Sequence, residues 1–443
     1  MSKYAVFWGC QIPARLAFLE KATRLVLAKL EVDIADLPGF TCCPDKTLIR
    51  NTEEDAWYLA AARNLALAER EGLDLLTPCN GCYATFKTVN VHWQVKPGLS
   101  DRINAQLMEI GLHYNGSVKV QHLLGLLHDE IGTTKLQQAV VEPLTGLSIG
   151  VHYGCHILRP SSYVDFDDPF HPTKFDNLVT TLGAKSLDYS TKLLCCGQSY
   201  LAVGQPERAT AMTRTKLNEL QQLGAHAITT NCPACFLQYD LQQFTMQRQG
   251  EKLSLPAFYY PELLALAMGI PGEEFGIDMH KVDTSSFFEA RERERARGLL
   301  AKQHFNIPIV ERCFHCGGCL QDCPAHQSNP WWNPNEIMGE ILNGDLEELL
   351  KSEKIWMCTE CYTCYDKCPQ RFGMMEAFST LRRLASERRL LPEGVRRAVD
   401  AFFASGRLIE PMETQRKRLG LPTAPKADKD ELRRMFEMVR KKG

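Results

Sequence analysis

The sequence has no run of about 18 apolar residues: its densest apolar stretches, around Leu123 to Leu127 and Leu263 to Ile270, are short and interrupted. A membrane-spanning helix is therefore not expected. The opening residues, Met1 to Cys10, lack a charged segment followed by a long apolar stretch and a small-residue cleavage site, which points to a cytoplasmic chain. Extremes of composition are absent too, with 44% hydrophobic and 23% charged residues and a formal net charge of -2, so disordered and fibrous classes drop out. At roughly 150 residues per domain, 443 residues suggest about three compact units.

What the chain does have is 18 cysteines. A reducing cytoplasm opposes structural disulfides, so metal or redox chemistry is the better expectation for them. The N-terminal five, Cys10, Cys42-Cys43, Cys79 and Cys82, read C-x31-CC-x35-C-x2-C, and the next five, Cys155, Cys195-Cys196, Cys232 and Cys235, read C-x39-CC-x35-C-x2-C. This is an internal repeat. The last eight form two runs, Cys313, Cys316, Cys319, Cys323-Pro324 and Cys358, Cys361, Cys364, Cys368-Pro369, each C-x2-C-x2-C-x3-C-P. Every cysteine is thereby used, and none is left for the attacking and resolving thiols of a dithiol exchange mechanism.

The two runs point to a pair of [4Fe-4S] cubes. A thiolate at every third residue wraps three corners of a cube, and in two-cluster ferredoxins the fourth cysteine of each run reaches the other cluster. The expected ligand groups are Cys313, Cys316, Cys319 and Cys368 for one, and Cys358, Cys361, Cys364 and Cys323 for the other. Zinc would call for two ligand pairs separated by a loop. The five-cysteine sets are more open. An adjacent Cys-Cys pair suits a multi-iron object, held either by all five thiolates or by four with the fifth bridging, and zinc at one of the two sites is the competing reading.

Each repeat reads as alternating strand and helix. Tyr4 to Trp8 is expected as a strand ending at Gly9-Cys10, Leu16 to Leu30 and Glu53 to Glu71 as helices, and Leu73 to Thr77 as a strand running into Cys79. The second half repeats the order, with strands at Leu147 to Tyr153 and Ala225 to Thr230 around a helix at Pro206 to Leu223. Val118 to His128 and Leu255 to Leu266 both read as a strand followed by a helix. The cysteines thus fall at the carboxyl ends of strands, where open α/β sheets place their ligands. The expected organisation is 1–145 and 146–275 as two α/β units, 276–300 as a linker with a solvated helix, 301–392 as a mainly helical ferredoxin-like unit, and 393–443 as a basic helical tail. From Arg371 onward there are 18 basic and 10 acidic residues. Without an aromatic-interleaved pattern these suggest a solvated tail or a docking face for an acidic partner, not nucleic acid.

At the level of motifs, Cys42-Cys43-Pro44, Cys79-Asn80-Gly81-Cys82-Tyr83 and Cys195-Cys196-Gly197 resemble the twin cysteine-rich (CCG) domains of the B-type polypeptide of heterodisulfide reductase. Cys313-Phe314-His315-Cys316-Gly317-Gly318-Cys319 and Trp356-Met357-Cys358-Thr359-Glu360-Cys361-Tyr362-Thr363-Cys364 resemble its C-type polypeptide, a two-cluster ferredoxin-like protein. The resemblance implies two pseudo-symmetric Rossmann-like CCG domains followed by a mainly α-helical ferredoxin-like domain. It implies that Cys10, Cys42, Cys43, Cys79 and Cys82 hold one noncubane [4Fe-4S] cluster and Cys155, Cys195, Cys196, Cys232 and Cys235 a second. Between the two a disulfide substrate would be held and cleaved, each sulfur going to a cluster iron, with two cubane clusters delivering single electrons. The implied partners are a flavin and iron-sulfur subunit of the A type and an upstream electron donor. In the iron-sulfur proteins of glycolate, lactate and glycerol-3-phosphate oxidation, and in the membrane-linked reductase, the ferredoxin part comes first. Here it follows, as end-to-end fusion of the B-type and C-type polypeptides would give, which favours the soluble branch. The rival expectation is an electron-transfer protein with no substrate site of its own.

Beyond the ligands, His152, His156 and Arg159 flank Cys155, and Lys46 and Tyr83 lie beside the first set. They are placed either to supply a proton or a positive charge, or to hydrogen-bond cluster sulfur and cap backbone. Trp331-Trp332 reads as core or interface.

Overall fold

The computed structural model describes residues 3–44, 47–302, 307–311, 316–424 and 429–440. Lys46 and Cys313 lie outside the described residues. The chain divides into two compact units, Met1–Glu294 and Arg295–Gly443.

The first unit holds two four-stranded parallel sheets. One contains β1 (Tyr4–Val6), β2 (Ile34–Ala35), β3 (Asp74–Thr77) and β4 (Val120–His122) in the order β2-β1-β3-β4. The other contains β5 (Ser148–His152), β6 (Lys185–Leu187), β7 (Ala227–Thr230) and β8 (Ala257–Tyr259) in the order β6-β5-β7-β8. The registers correspond: Tyr4 pairs with Asp74 and Val6 with Leu76, as Ile149 pairs with Ala227 and His152 with Thr230. Strands covered on both faces have no need of polar alternation, so β1 and β7 are buried throughout. Helix Ala17–Lys29 buries Phe18, Leu19, Ala22, Val26 and Leu27 at the three- and four-residue spacing of one helical face. Burial of Leu19 or Leu27, neither exposed, contributes about 2 kcal/mol each.

The sequence reading of the strands runs one to two residues long at several ends: at Phe7-Trp8 and Tyr153 the chain turns out of the sheet toward cysteine, and at Leu73, Leu147 and Ala225-His226 it has not yet entered it. It also omits β2 and β6, two and three residues long, which are too short to show a period of two. In both sheets the order reverses at the central pair, β1/β3 and β5/β7, which is the crevice where doubly wound sheets place ligands.

In the second unit Ala296 to Ala385 contribute a separate apolar core, with Trp332, Ile341, Leu350, Ile355 and Leu381 among its buried residues. No strand occurs among its described residues. Trp331 and Trp332 part company: Trp332 is buried against Phe378 and donates to the carbonyl of Lys354 at 2.8 Å, whereas Trp331 is exposed. Among the described residues no helix is long and apolar enough to cross a membrane.

Candidate iron-sulfur sites

All ten cysteines of the two five-cysteine sets line one cavity of about 320 Å³ in the first unit. Cys10 follows β1, the Cys42-Cys43 loop follows β2 and Cys79 follows β3, so three neighbouring strands deliver one set at their carboxyl edge. Cys155, Cys195-Cys196 and Cys232 follow β5, β6 and β7 in the same way. Helices begin at Asn80 and Pro233, which turns Cys82 and Cys235 back toward Cys79 and Cys232. Gly9 (φ +73°) and Gly154 (φ +74°) precede the first cysteine of each set, and a Cβ there would stand 2.9 Å from the Cys82 sulfur and 2.6 Å from Nδ2 of Asn80. Only glycine fits these turns.

The sulfurs follow one another as neighbours in a continuous row: Cys10, Cys42, Cys43, Cys82, Cys79, then across to Cys232, Cys235, Cys196, Cys195 and Cys155. The row is nearly symmetric about Cys79 and Cys232. The neighbouring thiol above all, and burial with it, pushes Cys10, Cys82, Cys155 and Cys235 up. Cys195, which accepts from both Cys155 and Cys196, is pushed down to about 2. Five thiolates this close repel one another unless a strongly positive centre joins them. A multi-iron cluster supplies that charge, and the donor set fits it at both sites.

Most of the other residues flagged in the sequence do structural work. Tyr83 donates to the carbonyl of Val164 at 2.6 Å. Arg159 donates to the carbonyl of Pro169 at 2.7 Å and packs over Phe170. His156 lines the cavity. His152 lies behind it, fully buried, with a ring nitrogen, Cys196 Sγ and Cys235 Sγ all within 4.8 Å of one another. Burial holds the imidazole of His152 well below its ordinary value, so it is neutral.

Sequence reasoning missed Lys216, whose side chain is fully buried on the helix Pro206–Gln222. Its ammonium donates to the carbonyls of Thr191 and, at 3.0 Å, Lys192, while Glu219 one turn on accepts from the backbone N–H groups of Ser190 and Thr191. The pair grips the loop that leads into Cys195. Burial pushes the Lys216 ammonium down to about 7, against the pull of the nearby Cys235 and Cys196 sulfurs. The available signal was a lysine sharing a helical face with Ala209, Thr213 and Leu220. Also missed were Asn80 and Asn231, which tie the halves together: Asn80 donates to the carbonyl of Tyr153 at 2.7 Å and Asn231 to that of Pro78 at 3.1 Å.

In the second unit, Cys319, Cys323, Cys358, Cys361 and Cys364 line one cavity with Trp332, Met374 and Phe378. The fourth cysteine of the first run therefore stands with the first three of the second. Cys316 and Cys368 do not line that cavity. The turn at Gly318 places Cys316 near the backbone of Lys367, next to Cys368. Arg382 fixes the loop carrying Cys358 by donating to the carbonyls of Ile355 (2.8 Å) and Cys358 (2.5 Å) and to Glu360 (2.7 Å).

The cysteine-rich domain (CCG) family matches residues 4–87 and 149–240, and the 4Fe-4S dicluster domain family matches 309–372. Residues of the first unit are similar to the B-type polypeptide of the ferredoxin/F(420)H(2)-dependent CoB-CoM heterodisulfide reductase of Methanosarcina acetivorans, 37% identical over 65% of this chain and 96% of that one. The chain belongs to the heterodisulfide reductase family. A C-type part follows the B-type part: the second C-type iron-sulfur polypeptide of the CoB-CoM heterodisulfide reductase of Methanocaldococcus jannaschii is 30% identical over 28% of this chain and 69% of that one. The "8-methylmenaquinol:fumarate reductase membrane anchor subunit" of Wolinella succinogenes is 31% identical over 64% of this chain and 98% of that one. Relatives of this heterodisulfide reductase family member are thus named for more than one reaction. Its role is in iron-sulfur redox chemistry.

Proposed function

We propose that this chain is the catalytic component of a heterodisulfide reductase-like complex. It would take two electrons, one at a time, and two protons to convert RS–SR′ into RSH and R′SH. The observation that carries this reading is the single cavity into which both five-cysteine sets open, with Cys79 in contact with Cys232. A two-centre reduction of one disulfide needs both centres to face the same space.

In this reading Cys10, Cys42, Cys43, Cys79 and Cys82 hold one noncubane four-iron cluster, and Cys155, Cys195, Cys196, Cys232 and Cys235 hold the other. Bound there, such clusters supply single electrons and iron sites with affinity for thiolate sulfur, so no free protein thiol is required. Trp8 and Leu48 add apolar surface to the cavity wall. His156, beside Cys155, is the one titratable side chain other than cysteine among the described lining residues, and it is placed to protonate a departing thiolate. The eight cysteines of the second unit would hold two cubane clusters that relay electrons from a flavin and iron-sulfur partner.

Anaerobic metal and sulfide analysis tests the assignment: four four-iron clusters predict about 16 iron and no zinc per chain. Low-temperature EPR of the oxidised protein should then show a new signal on addition of a thiol, and an artificial donor should drive reduction of small disulfides. A second reading is favoured by the relative named for fumarate reduction: an electron-transfer component in which the clusters pass electrons on without a disulfide substrate. Full iron content with no thiol-induced signal and no disulfide reduction would select it.

A further inference from the structure

The two five-cysteine sites correspond nearly residue for residue, and one departure from that correspondence changes their chemistry. Phe7-Trp8-Gly9-Cys10 in the first half matches His152-Tyr153-Gly154-Cys155 in the second. Four residues beyond the last cysteine of each set, Phe86 in the first half matches Tyr239 in the second. The ring pairs even keep the same geometry. Phe7 and Phe86 meet edge to face with centroids 4.8 Å apart, and His152 and Tyr239 do so at 5.0 Å. A purely apolar pair behind the first site has become a hydrogen-bonded pair behind the second.

The hydrogen bond fixes which nitrogen carries the proton. Tyr239 is fully buried, and its hydroxyl lies 3.2 Å from Nδ1 of His152, its one hydrogen-bond partner among the described residues. A buried O–H needs an acceptor, so the hydroxyl donates and Nδ1 accepts. A neutral imidazole then carries its single proton on Nε2, and Nε2 is buried with no partner among the described residues. A ring nitrogen of His152 and the sulfurs of Cys196 and Cys235 lie within 4.8 Å of one another, which puts the sulfur of the second site beside the ring. Leaving a buried donor unpaired is costly, so a sulfur acceptor there accounts for the arrangement.

We infer that His152, its tautomer set by Tyr239, donates an Nε2–H hydrogen bond to sulfur at the second five-cysteine site, and that this bond raises the reduction potential of that site. The inference rests on the proposed cluster assignment. Hydrogen bonds to cluster or ligand sulfur draw off negative charge and raise reduction potential, and the Phe7–Phe86 pair gives the first site no such donor. His152 is a positioning residue in this role, acting on the cluster through sulfur and not on the substrate.

The test is a potentiometric titration followed by EPR on the anaerobically purified full chain and on His152→Phe and Tyr239→Phe, with iron counted in each. His152→Phe copies the first site into the second, and Tyr239→Phe removes the tautomer lock while keeping His152 and the edge-to-face ring pair. With iron content unchanged, both variants are expected to shift one of the two five-cysteine signals to lower potential and leave the other where it was. Unshifted titrations in both would overturn the inference and leave the cluster assignment standing. If His152→Phe loses iron, Tyr239→Phe decides: a lowered midpoint supports the hydrogen bond, and an unchanged one overturns it. Absence of any four-iron signal from the second set in the unsubstituted protein would instead overturn the proposed function, and this inference with it.

Discussion

Cys79 and Cys232, 153 residues apart in the sequence, stand side by side in one cavity where the two halves of the first unit meet. Asn231, next to Cys232, donates to the carbonyl of Pro78, next to Cys79, and the hydroxyl of Tyr259 donates to that same carbonyl. The two five-cysteine sets are therefore built against each other, and each half supplies part of the other's support.

Despite this contact, the ligands should be separable. Cys43→Ser and Cys235→Ser are each expected to lower the iron content from about 16 to about 12 per chain, because each removes one four-iron cluster and spares the other. Iron analysis beside EPR of the two variants checks this; loss of about 8 iron from either would mean that the two sites assemble as one.

In the second unit, Cys323→Ser should disturb the same cluster signal as Cys358→Ser or Cys364→Ser. These cysteines share a cavity although Cys323 belongs to the other run. Mössbauer or EPR spectra of the three variants compare directly.

Gly154→Ala is expected to destabilise the first unit by about 2 kcal/mol, from positive-φ strain together with displacement of the Asn80 hydrogen bond. A lowered denaturation midpoint in anaerobic chemical unfolding is the readout. Gly204→Ala, also at positive φ but with no atom within 4 Å of its Cβ, separates the two contributions.

Lys216→Met leaves the carbonyls of Thr191 and Lys192 without their buried donor, at a cost of about 1–3 kcal/mol. The loop before Cys195 should loosen, and a chelator should remove iron from the second set faster than from the first. Time-resolved iron release checks this.

His280 and Glu262 form an ion pair at 2.8 Å with both side chains buried. Burial opposes the charge on His280, but Glu262 outweighs it and the net effect raises the histidine. The folded state thus holds the proton more tightly than the unfolded chain. The stabilisation is complete below the unfolded value of about 6.5 and is lost as pH rises through the higher folded value. Unfolding midpoints should fall on going from about pH 6 to alkaline pH, and His280→Gln should flatten that slope while lowering stability at acid pH by about 3 kcal/mol.

The cysteine groups, the repeat and the alternation of strand and helix are legible in the order of residues, because these are local facts: ligand spacing, turn residues and apolar periodicity. The 35-residue interval between each cysteine pair and its closing C-x2-C was readable without coordinates, as was the family resemblance. That both sets open into one cavity, that Cys79 neighbours Cys232, and that His156 lines the cavity while His152 lies behind it and Arg159 turns to Pro169, emerged with the folded chain. Those outcomes depend on packing between residues far apart in the chain. Lys216 and Tyr239 were illegible for the same reason, since a lysine on an apolar face and a tyrosine after a C-x2-C gain meaning only from what stands opposite them. Strand order sets that: β1 beside β3 and β5 beside β7 bring the loops together, and burial then makes each unpaired donor and each crowded thiol count.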